Sequence, residues 1–421
     1  MALFLVCSLF LLLALGVPVA FALGLVGLAT VVLFDVTSLT QMAQSQFANL
    51  DSFVLLAIPF FILAGNVMVE GRMATPLVDF VRALTRPIAG GTAVGAAIAS
   101  ALFGAMTGSS AASAAALGRV TIPQLNRLGY PPSFSAGLMA AGGTLGIMIP
   151  PSIVFIIYGA MAQQSVSKLF LAGLLPGIFI TALIAILTYV LVRLNGWADA
   201  GRLQLREVFE TMRGAAPALL MPGIVLGGIY GGIFTPTEAA AIAALYGLFI
   251  GAVVYRTITF KNLPRIFANS AKMTGIILFI IAEALFIGML ATLAGIPSAI
   301  VTAVEVANLS HWEFLLVVNL VLLVLGCFLD GVTILTVVAP LLLPSIVKLG
   351  IDPIHFGVLL ALNIEIASIT PPIGINLFVI SGISDTAIEQ VIRGVVPYVF
   401  LLLAALVVVT YVPWLSLALL P

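Results

Sequence analysis

The chain contains a segment, residues 122–176, whose proline and glycine pattern returns 221 positions later. Prolines fix the backbone and glycines free it, so their coincidence predicts a repeated backbone path rather than chance similarity in an apolar chain. Ten residues of the first copy have identical partners in the second: Pro123, Leu128, Gly129, Pro132, Leu138, Ala140, Pro150, Pro151, Gly173 and Pro176 match Pro344, Leu349, Gly350, Pro353, Leu359, Ala361, Pro371, Pro372, Gly394 and Pro397.

The composition indicates an all-α polytopic membrane protein. Hydrophobic residues make up 62% of the 421 residues and charged residues 8%, against about 25% charged residues in a soluble domain. We therefore expect a multi-pass protein surrounded by lipid, and the net charge of zero gives no indication of a nucleic-acid partner. Apolar runs of helix length lie at 2–34, 54–69, 133–160, 169–193, 216–233, 237–255, 273–294, 354–382 and 397–419.

Two further apolar runs, 91–117 and 314–342, are interrupted by small and polar residues. We interpret each as a re-entrant hairpin. In each copy of the repeat a hydrophobic segment follows the hairpin and is cut by a Pro-Pro pair. Broken helices at corresponding places in two halves are typical of the binding site of a secondary transporter.

The basic residues predict the topology. The connections between apolar runs fall on alternating sides of the predicted membrane. Two of the 16 lysines and arginines, Lys168 and Lys348, lie on one side, and the remaining 14 lie on the other side, which we assign to the cytoplasm. This assignment makes the two repeats inverted. Residues 2–34 form either one long helix or two short spans bent at 16–18, and we favour two spans. The basic residues on the cytoplasmic side are Arg72, Arg82, Arg86, Arg119, Arg127, Arg193, Arg202, Arg206, Arg213, Arg256, Lys261, Arg265, Lys272 and Arg393.

The first hairpin and first broken helix supply one group of candidate ion- or substrate-binding residues. A chain reversal inside a membrane leaves backbone groups that need partners, and hydroxyl and carbonyl oxygens suit a small hard cation. The alternative interpretation is that these small residues only allow close helix packing. The candidates are Thr107, Ser109, Ser110, Ser113, Gly143, Thr144, Pro150 and Pro151.

The second hairpin and second broken helix supply the corresponding group, in which Asp330 is the strongest candidate. Glu238, Glu283 and Glu365 are further acids in or beside apolar segments, where an ionised carboxylate is costly without a partner. Glu238 follows a proline and is equally explained as a first-turn acid. The candidates in the second copy are Asp330, Gly331, Thr333, Asn363, Ser368, Thr370, Pro371 and Pro372.

Enzyme activity is not expected. The sequence contains no GxxxxGK[ST] phosphate-binding loop and no HExxH motif, and no basic residue in an apolar segment is placed to activate Ser109. His311 and His355 lie far apart at predicted membrane edges, where we interpret them as interfacial polar residues. The pattern instead indicates a secondary transporter with a cation site.

The chain resembles the large membrane subunit of tripartite ATP-independent periplasmic (TRAP) transporters. Five separated motifs carry the resemblance: TGSSAASAAALG, GGTLGIMIPPS, GGIYGGIFTPTEAAAIAALYG, FLDGVTILTVVAPLLLP and ITPPIGINLFVISGI. The resemblance implies sodium-driven import of a small organic acid across the bacterial inner membrane, with Na⁺ as the coupling ion and no other cofactor. It also implies two partners, a small membrane subunit of four helices and a periplasmic substrate-binding protein.

The resemblance further implies a scaffold and an elevator-type transport domain of the ion-transporter superfamily. The implied sodium ligands are Ser109, Ser110, Ser113, Gly143 and Thr144 at one site, and Asp330, Thr333, Ser368 and Thr370 at the other. The implied division is 1–90 (scaffold and first arm), 91–160 (transport domain), 161–312 (scaffold and second arm), 313–382 (transport domain) and 383–421 (last helix).

Two alternatives remain open on the sequence. The first is a stand-alone carrier of the same fold, coupled to sodium or protons, that needs no binding protein. The second is a channel or a structural membrane scaffold, which a saturable uphill uptake would exclude. The sequence does not indicate which organic acid is carried, because no arginine stands within the membrane at the predicted site.

Overall fold

The computed structural model of the protein describes residues 1–197 and 200–420, and helices are the only regular secondary structure in that part. The predicted all-α fold is therefore confirmed. Residues 198 and 199 of the predicted unit 161–312, and residue 421 of the predicted unit 383–421, lie outside the described residues.

The first half of the chain forms ten α-helices, and a short 3₁₀ turn at Phe53–Leu56 leads into the fourth. These helices are α1 (Ala2–Ala14), α2 (Val19–Phe34), α3 (Leu39–Leu50), α4 (Ala57–Glu70), α5 (Ala74–Thr85), α6 (Gly91–Thr107), α7 (Ser110–Arg127), α8 (Pro132–Met148), α9 (Ile153–Ala162) and α10 (Val166–Asn195).

Ten more α-helices follow, and a π-helical turn at Ile250–Val254 extends the second of them. They are α11 (Leu205–Tyr230), α12 (Pro236–Phe249), α13 (Leu263–Leu293), α14 (Ile296–Val306), α15 (His311–Gly326), α16 (Gly331–Lys348), α17 (Pro353–Ala367), α18 (Ile375–Ser384), α19 (Ile388–Tyr411) and α20 (Trp414–Leu417).

Eight helices of the described chain are long and apolar enough to cross a membrane. The protein is therefore a multi-pass membrane protein by length and composition of its helices. The eight candidate spans are Phe53–Glu70, Pro132–Ala162, Val166–Asn195, Leu205–Tyr230, Pro236–Val254, Leu263–Leu293, Gly331–Lys348 and Ile388–Tyr411.

The helix bounds recur at the spacing of the sequence repeat. Helix α7 begins at Ser110 and ends at Arg127, and α16 begins and ends 221 residues later at Gly331 and Lys348. Helices α8 and α17 both begin at a repeated proline, and both are followed by a break at a Pro-Pro pair before a ten-residue helix. Each copy is thus a helix, a proline-led helix, a break and a short helix.

The N-terminal run 2–34 is two helices rather than one. Helix α1 ends at Ala14 and α2 begins at Val19. Gly16 between them has φ of +79°, a left-handed conformation that glycine adopts without steric cost. Pro18 then stands at the N-cap of α2, where its missing N–H is not needed. The predicted bend at 16–18 is confirmed.

The two helix–turn–helix segments extend beyond the predicted limits. We predicted 91–117 and 314–342, whereas the returning helices α7 and α16 continue to Arg127 and Lys348. The predicted apolar runs end too early because polar residues and prolines follow them in the sequence. These helices nevertheless continue through Pro123 and Pro344, which shows that an interior proline need not end a packed membrane helix.

Helix α8 lies at the centre of the fold. In the segment Pro132–Ala162 the 18-residue apolar window is 83% buried inside the protein, more than in any other candidate span of the described chain. Small residues allow close contact there: a Cβ added to Gly137 would lie 2.1 Å from the backbone of Gly394 on α19. Such close glycine contacts are typical of helix packing in membranes.

One polar residue lies elsewhere than predicted. We interpreted His355 as an interfacial residue at a membrane edge, but it is buried at 2% exposure in the first turn of α17, enclosed by the packed helices. The helix does begin at the surface, where its N-cap residue Asp352 is exposed, but the neighbouring helices cover the His355 ring. His311 is exposed, as expected.

Candidate functional site

A cavity of about 320 Å³ lies between the two copies of the repeat. The turns after α6 and α15 both reach it, and the break after α17 forms a third wall. Among the predicted site residues, five line this cavity: Ser109, Ser110, Asp330, Gly331 and Ser368. The structure therefore brings together residues that the sequence places 221 positions apart.

The N-terminus of α7 points to this cavity from the first copy. Ser109 is the N-cap residue, and its hydroxyl accepts a hydrogen bond from the backbone N–H of Ala112 at 3.5 Å. Gly108 precedes it with φ of +62°, and a Cβ there would lie 2.7 Å from the carbonyl oxygen of Pro151. Only glycine combines this conformation with this close approach, so the turn is held directly against the first Pro-Pro break.

The N-terminus of α16 reaches the same cavity from the second copy. Asp330 is its N-cap residue and occupies the position that corresponds to Ser109 in the repeat. Its carboxylate accepts hydrogen bonds from the N–H groups of Val332 at 3.0 Å and Thr333 at 3.2 Å, and also from the Thr333 hydroxyl. Asp330 is exposed to the cavity, so its charge remains available to a bound ion.

The N-termini of α7 and α16 both reach the cavity. Unpaired N–H groups at the start of a helix carry a partial positive charge and attract anions. Asp330 supplies a full negative charge beside them. A cavity with these features can hold an anion and a cation close together.

Three oxygen atoms lie close together at the turn between α6 and α7, which we call the first turn. The hydroxyls of Thr107 and Ser113 are 2.7 Å apart, and the Thr107 hydroxyl is 3.5 Å from the Ser109 carbonyl oxygen. A Cβ added to Gly146 on α8 would lie 2.8 Å from that carbonyl and 3.0 Å from the Ser113 hydroxyl. Small hard cations prefer such oxygen donors, so these residues are the ones that could hold a cation between the first turn and α8.

Gly143 and Thr144 lie on α8 behind the first turn and are fully buried rather than in the cavity. A Cβ added to Gly143 would lie 2.6 Å from that of Ala114 on α7, so Gly143 allows the two helices to approach. Thr144 Oγ1 lies 2.6 Å from Glu365 Oε1 on α17. Pro150 and Pro151 are buried too.

The second break is more open than the first. Pro371 and Pro372 are exposed, unlike the first Pro-Pro pair. The hydroxyl of Ser368 donates to the carbonyl oxygen of Glu365 at 2.7 Å, and that of Thr370 donates to Ile366 at 2.7 Å. These helical bonds leave each hydroxyl oxygen free to accept or to bind a cation.

Two further predicted site residues also lie away from the cavity. Glu238 forms a capping box with Thr235 at the start of α12, since its carboxylate accepts from the Thr235 backbone N–H at 2.8 Å. This matches the first-turn interpretation that we left open. Asn363 is buried against α15, where its side-chain amide donates to Asn319 at 2.9 Å. Neither residue lines the cavity.

The sequence interpretation missed the apolar part of the cavity and one buried amide. Met273 and Ile277 of α13 and Phe378 of α18 line the cavity, and no motif distinguishes them from other apolar residues. Asn376 follows the second break; its N–H donates to the Ser368 carbonyl at 2.9 Å and its side chain donates to Ala140 at 3.2 Å. A buried asparagine just after a Pro-Pro pair was a signal that could have identified it.

Comparisons with known proteins agree with this architecture. The profile of the family described as "Tripartite ATP-independent periplasmic transporter, DctM component" matches residues 6–415. The C4-dicarboxylate TRAP transporter large permease protein DctM of Pseudomonas aeruginosa is 44% identical over 94% of this chain and 93% of its own length. The isethionate TRAP transporter permease protein DctMQ of Oleidesulfovibrio alaskensis is 38% identical over 95% of this chain and 63% of its own length.

Among solved structures, the YdaH transporter of Alcanivorax borkumensis superposes with a TM-score of 0.61 over 91% of this chain and 89% of that chain, at 17% identity. This likeness concerns the fold alone. The relatives of higher identity are transporter permeases and not enzymes. The chain belongs to the DctM family, the large permease components of tripartite ATP-independent periplasmic transporters.

Proposed function

We propose that this protein imports a small organic acid anion by sodium symport, as a multi-pass subunit in the bacterial inner membrane. The observation that supports this most is the convergence of Ser109 and Asp330, equivalent residues of the two copies, on one cavity. Two helix N-termini there attract an anion, while the carboxylate and the oxygen cluster near Ser113 attract cations.

The substrate class follows from the same geometry. The cavity of about 320 Å³ suits a small molecule. Among the described residues no arginine or lysine lines it, so the anionic group would bind to backbone N–H groups and hydroxyls. The relatives' names specify C4-dicarboxylates and isethionate, which are both small organic anions. Carboxylate, sulfonate and sugar-acid groups all fit these donors.

Two partners belong to this proposal. A periplasmic binding protein would deliver the substrate, and a small membrane subunit of four helices would complete the membrane complex. The name DctMQ and the fact that this chain spans only 63% of that relative's length support a second membrane component. The two copies would have opposite orientations in the membrane. An elevator movement of both copies would carry the cavity from one face of the membrane to the other.

The experiment that tests the proposal measures substrate accumulation in liposomes that contain the assembled complex, with the binding protein outside and an inward sodium gradient. We expect accumulation against the substrate gradient only with sodium. A reconstitution of this chain alone provides the comparison. Equal uptake by the lone chain without binding protein would support a stand-alone carrier and contradict the tripartite proposal.

The variant Asp330→Asn separates a sodium ligand from a simple helix cap. Asparagine is as good an N-cap residue as aspartate, but it removes the charge. If Asp330 binds the coupling ion, Asp330→Asn weakens the apparent sodium affinity by roughly tenfold or more, since about 1.4 kcal/mol corresponds to that factor. Asp330→Ala, which removes both the cap and the charge, abolishes uptake. Unchanged sodium dependence in Asp330→Asn would assign this residue to capping alone.

A further inference from the structure

A second cavity, of about 620 Å³, lies between helices α1, α13, α14, α15 and α16. It is larger than the cavity of the candidate site and shares one described lining residue with it, Leu329. Apart from Gly288, the described residues that line it are all apolar. Water needs several polar partners to occupy a cavity, so this one suits an apolar ligand.

The cavity is a groove that opens at the side of the protein. Phe10, Val317 and Val321 line it and are between 44% and 50% exposed. Leu9 and Leu322 also line it, but they are buried. The first three residues therefore form the mouth of the groove and the other two belong to its floor. Two of the five surrounding helices, α13 and α16, are candidate membrane spans, so the mouth opens toward lipid.

One face of α16 leads from the groove to a polar end. Leu342 lines the groove, and Ser345 and Lys348 follow it at intervals of three residues, which places all three on one side of the helix. Ser345 and Lys348 line a smaller cavity of about 180 Å³ together with Glu305 of α14. Val304 lines both cavities, so the apolar groove and the polar end adjoin.

The polar end carries one charge of each sign. Lys348 is the last residue of α16 and Glu305 lies in the last turn of α14, and their side chains form an ion pair that is more than half exposed. Trp312, the second residue of α15, lies seven positions after Glu305, and tryptophan is enriched where a membrane meets water. An exposed ion pair contributes little to stability, so a ligand that offers both charges can replace each partner.

Ser345 supplies a polar group between the charges and the groove. The residue is 1% exposed, and its hydroxyl has no hydrogen-bond partner in the described structure. A buried hydroxyl without a partner costs free energy. A ligand oxygen at this level, between an apolar part and a charged part, would accept a hydrogen bond from this hydroxyl and remove that cost. Phospholipids have ester and phosphate oxygens at this position in the molecule.

We propose that the groove and its polar end together bind one phospholipid with a phosphoethanolamine head group. An acyl chain occupies the groove, and the Ser345 hydroxyl donates to an ester or phosphate oxygen. Lys348 pairs with the phosphate, and Glu305 accepts a hydrogen bond from the ammonium group. The acyl chain alone gives little selectivity, because the bilayer is as apolar as the groove. The head group therefore determines which lipid binds.

The opposite charges at the polar end distinguish phosphoethanolamine from other head groups. A choline group is positively charged but has no N–H group to donate to Glu305. A glycerol head group carries no positive charge, so its phosphate would meet Lys348 without a partner for Glu305. The site that we propose is separate from the candidate ion and substrate positions, and its test does not depend on the proposed transport function.

Native mass spectrometry of the purified complex, after its lipids are removed, tests the head-group preference. The probes are dioleoyl phosphatidylethanolamine, phosphatidylcholine and phosphatidylglycerol, which share the same acyl chains. We expect one molecule of phosphatidylethanolamine to bind about tenfold more tightly than the other two, the factor that one charge-assisted hydrogen bond produces. Equal binding of the three lipids would overturn the proposal.

Three variants at the polar end separate the roles of its groups. Lys348→Gln should weaken the binding of phosphatidylethanolamine about tenfold, whereas Glu305→Gln should remove the preference over the other two lipids. Ser345→Ala should weaken binding without lowering the unfolding midpoint in lipid-free detergent, because its hydroxyl has no partner in the described protein. Arg206→Gln is the control, since Arg206 forms a similarly exposed ion pair with Glu210 on α11. Wild-type binding in both Lys348→Gln and Glu305→Gln would contradict the proposal.

A bulky side chain in the groove tests the site of the acyl chain. Ala303 lines the groove and is exposed, so Ala303→Phe should reduce binding of phosphatidylethanolamine. Thr302→Phe adds a ring at the neighbouring exposed residue, outside the groove lining, and should not reduce binding. The surface variants of the polar end keep the test valid if Ala303→Phe fails to fold. If Ala303→Phe retains the lipid but releases the small membrane subunit, the groove is a protein interface and the proposal is wrong.

Discussion

At the scale of single residues, the first turn is shaped by glycines that leave room for oxygen atoms. Gly146 on α8 is the clearest case, because the Ser109 carbonyl and the Ser113 hydroxyl both approach the space that a Cβ would fill. Backbone contacts under 3.0 Å cannot be relieved by moving a flexible side chain. The position therefore links helix packing directly to the candidate cation site.

The variant Gly146→Ala should displace the first turn from α8. We expect a lower apparent sodium affinity and a lower thermal unfolding midpoint, since overpacking a tight contact costs about 1–3 kcal/mol. Sodium-dependent uptake and thermal unfolding of the purified complex measure these effects. Gly227→Ala is the control, because no described atom outside its own helix lies within 4 Å of a Cβ there. Equal behaviour of the two variants would contradict the proposed packing.

Ser110 allows a separate test of ligand contact. It lines the cavity as the first residue of α7 but is not the N-cap, so Ser110→Ala removes a hydroxyl without removing the cap. If Ser110 contacts the ion or the substrate, the variant weakens sodium dependence or substrate affinity. If it only permits packing, alanine is harmless because it fits the same space. Uptake titrated against sodium and against substrate distinguishes the two results.

At the scale of helices, the repeat predicted which segments form the site, and the structure adds how they pack. The Pro-Pro pairs indicated two breaks, and both are present. The sequence did not distinguish their environments: the first pair is buried and the second exposed. This difference depends on which neighbouring helices cover each break, and identical proline pairs carry no information about that.

The sequence predicted the positions of some site residues relative to the cavity better than those of others. Local turn chemistry identified Ser109 and Asp330, because a polar residue at a chain reversal is a recognisable signal. Asn363 was placed in the site for its proximity to the second break, yet it is directed toward α15. The helical position alone could not indicate which face of α17 meets the cavity, since that helix is buried on all sides.

An ion pair connects the short helix α14 to the end of α16. Lys348 Nζ lies 2.5 Å from Glu305 Oε1, and both side chains are more than half exposed. Exposed pairs contribute only about 0.2–1 kcal/mol. We therefore expect Glu305→Ala, Lys348→Ala and the double variant to unfold at nearly the wild-type temperature. A coupling energy several times larger in the double-mutant cycle would show that the pair is a structural connection.

At the scale of the whole molecule, we expect the two copies to move together as one unit against a scaffold. The unit would contain 91–160 and 313–382, and the scaffold would contain 1–90 and 161–312. The amphipathic helices α5 and α14 would connect them as arms. The shared cavity supports this division, since residues of both copies must remain in register around one substrate.

The most direct test measures distances between pairs of spin labels in the reconstituted complex, after Cys7 and Cys327 are replaced by alanine. Labels at Leu128 and Val347, exposed residues at the ends of α7 and α16, report within the proposed moving unit. Labels at Leu128 and Leu205 report across its boundary. Between sodium- and substrate-bound and sodium-free conditions, we predict a constant first distance and a changed second distance. Equal changes in both distances would contradict a rigid moving unit and support local gating of the cavity.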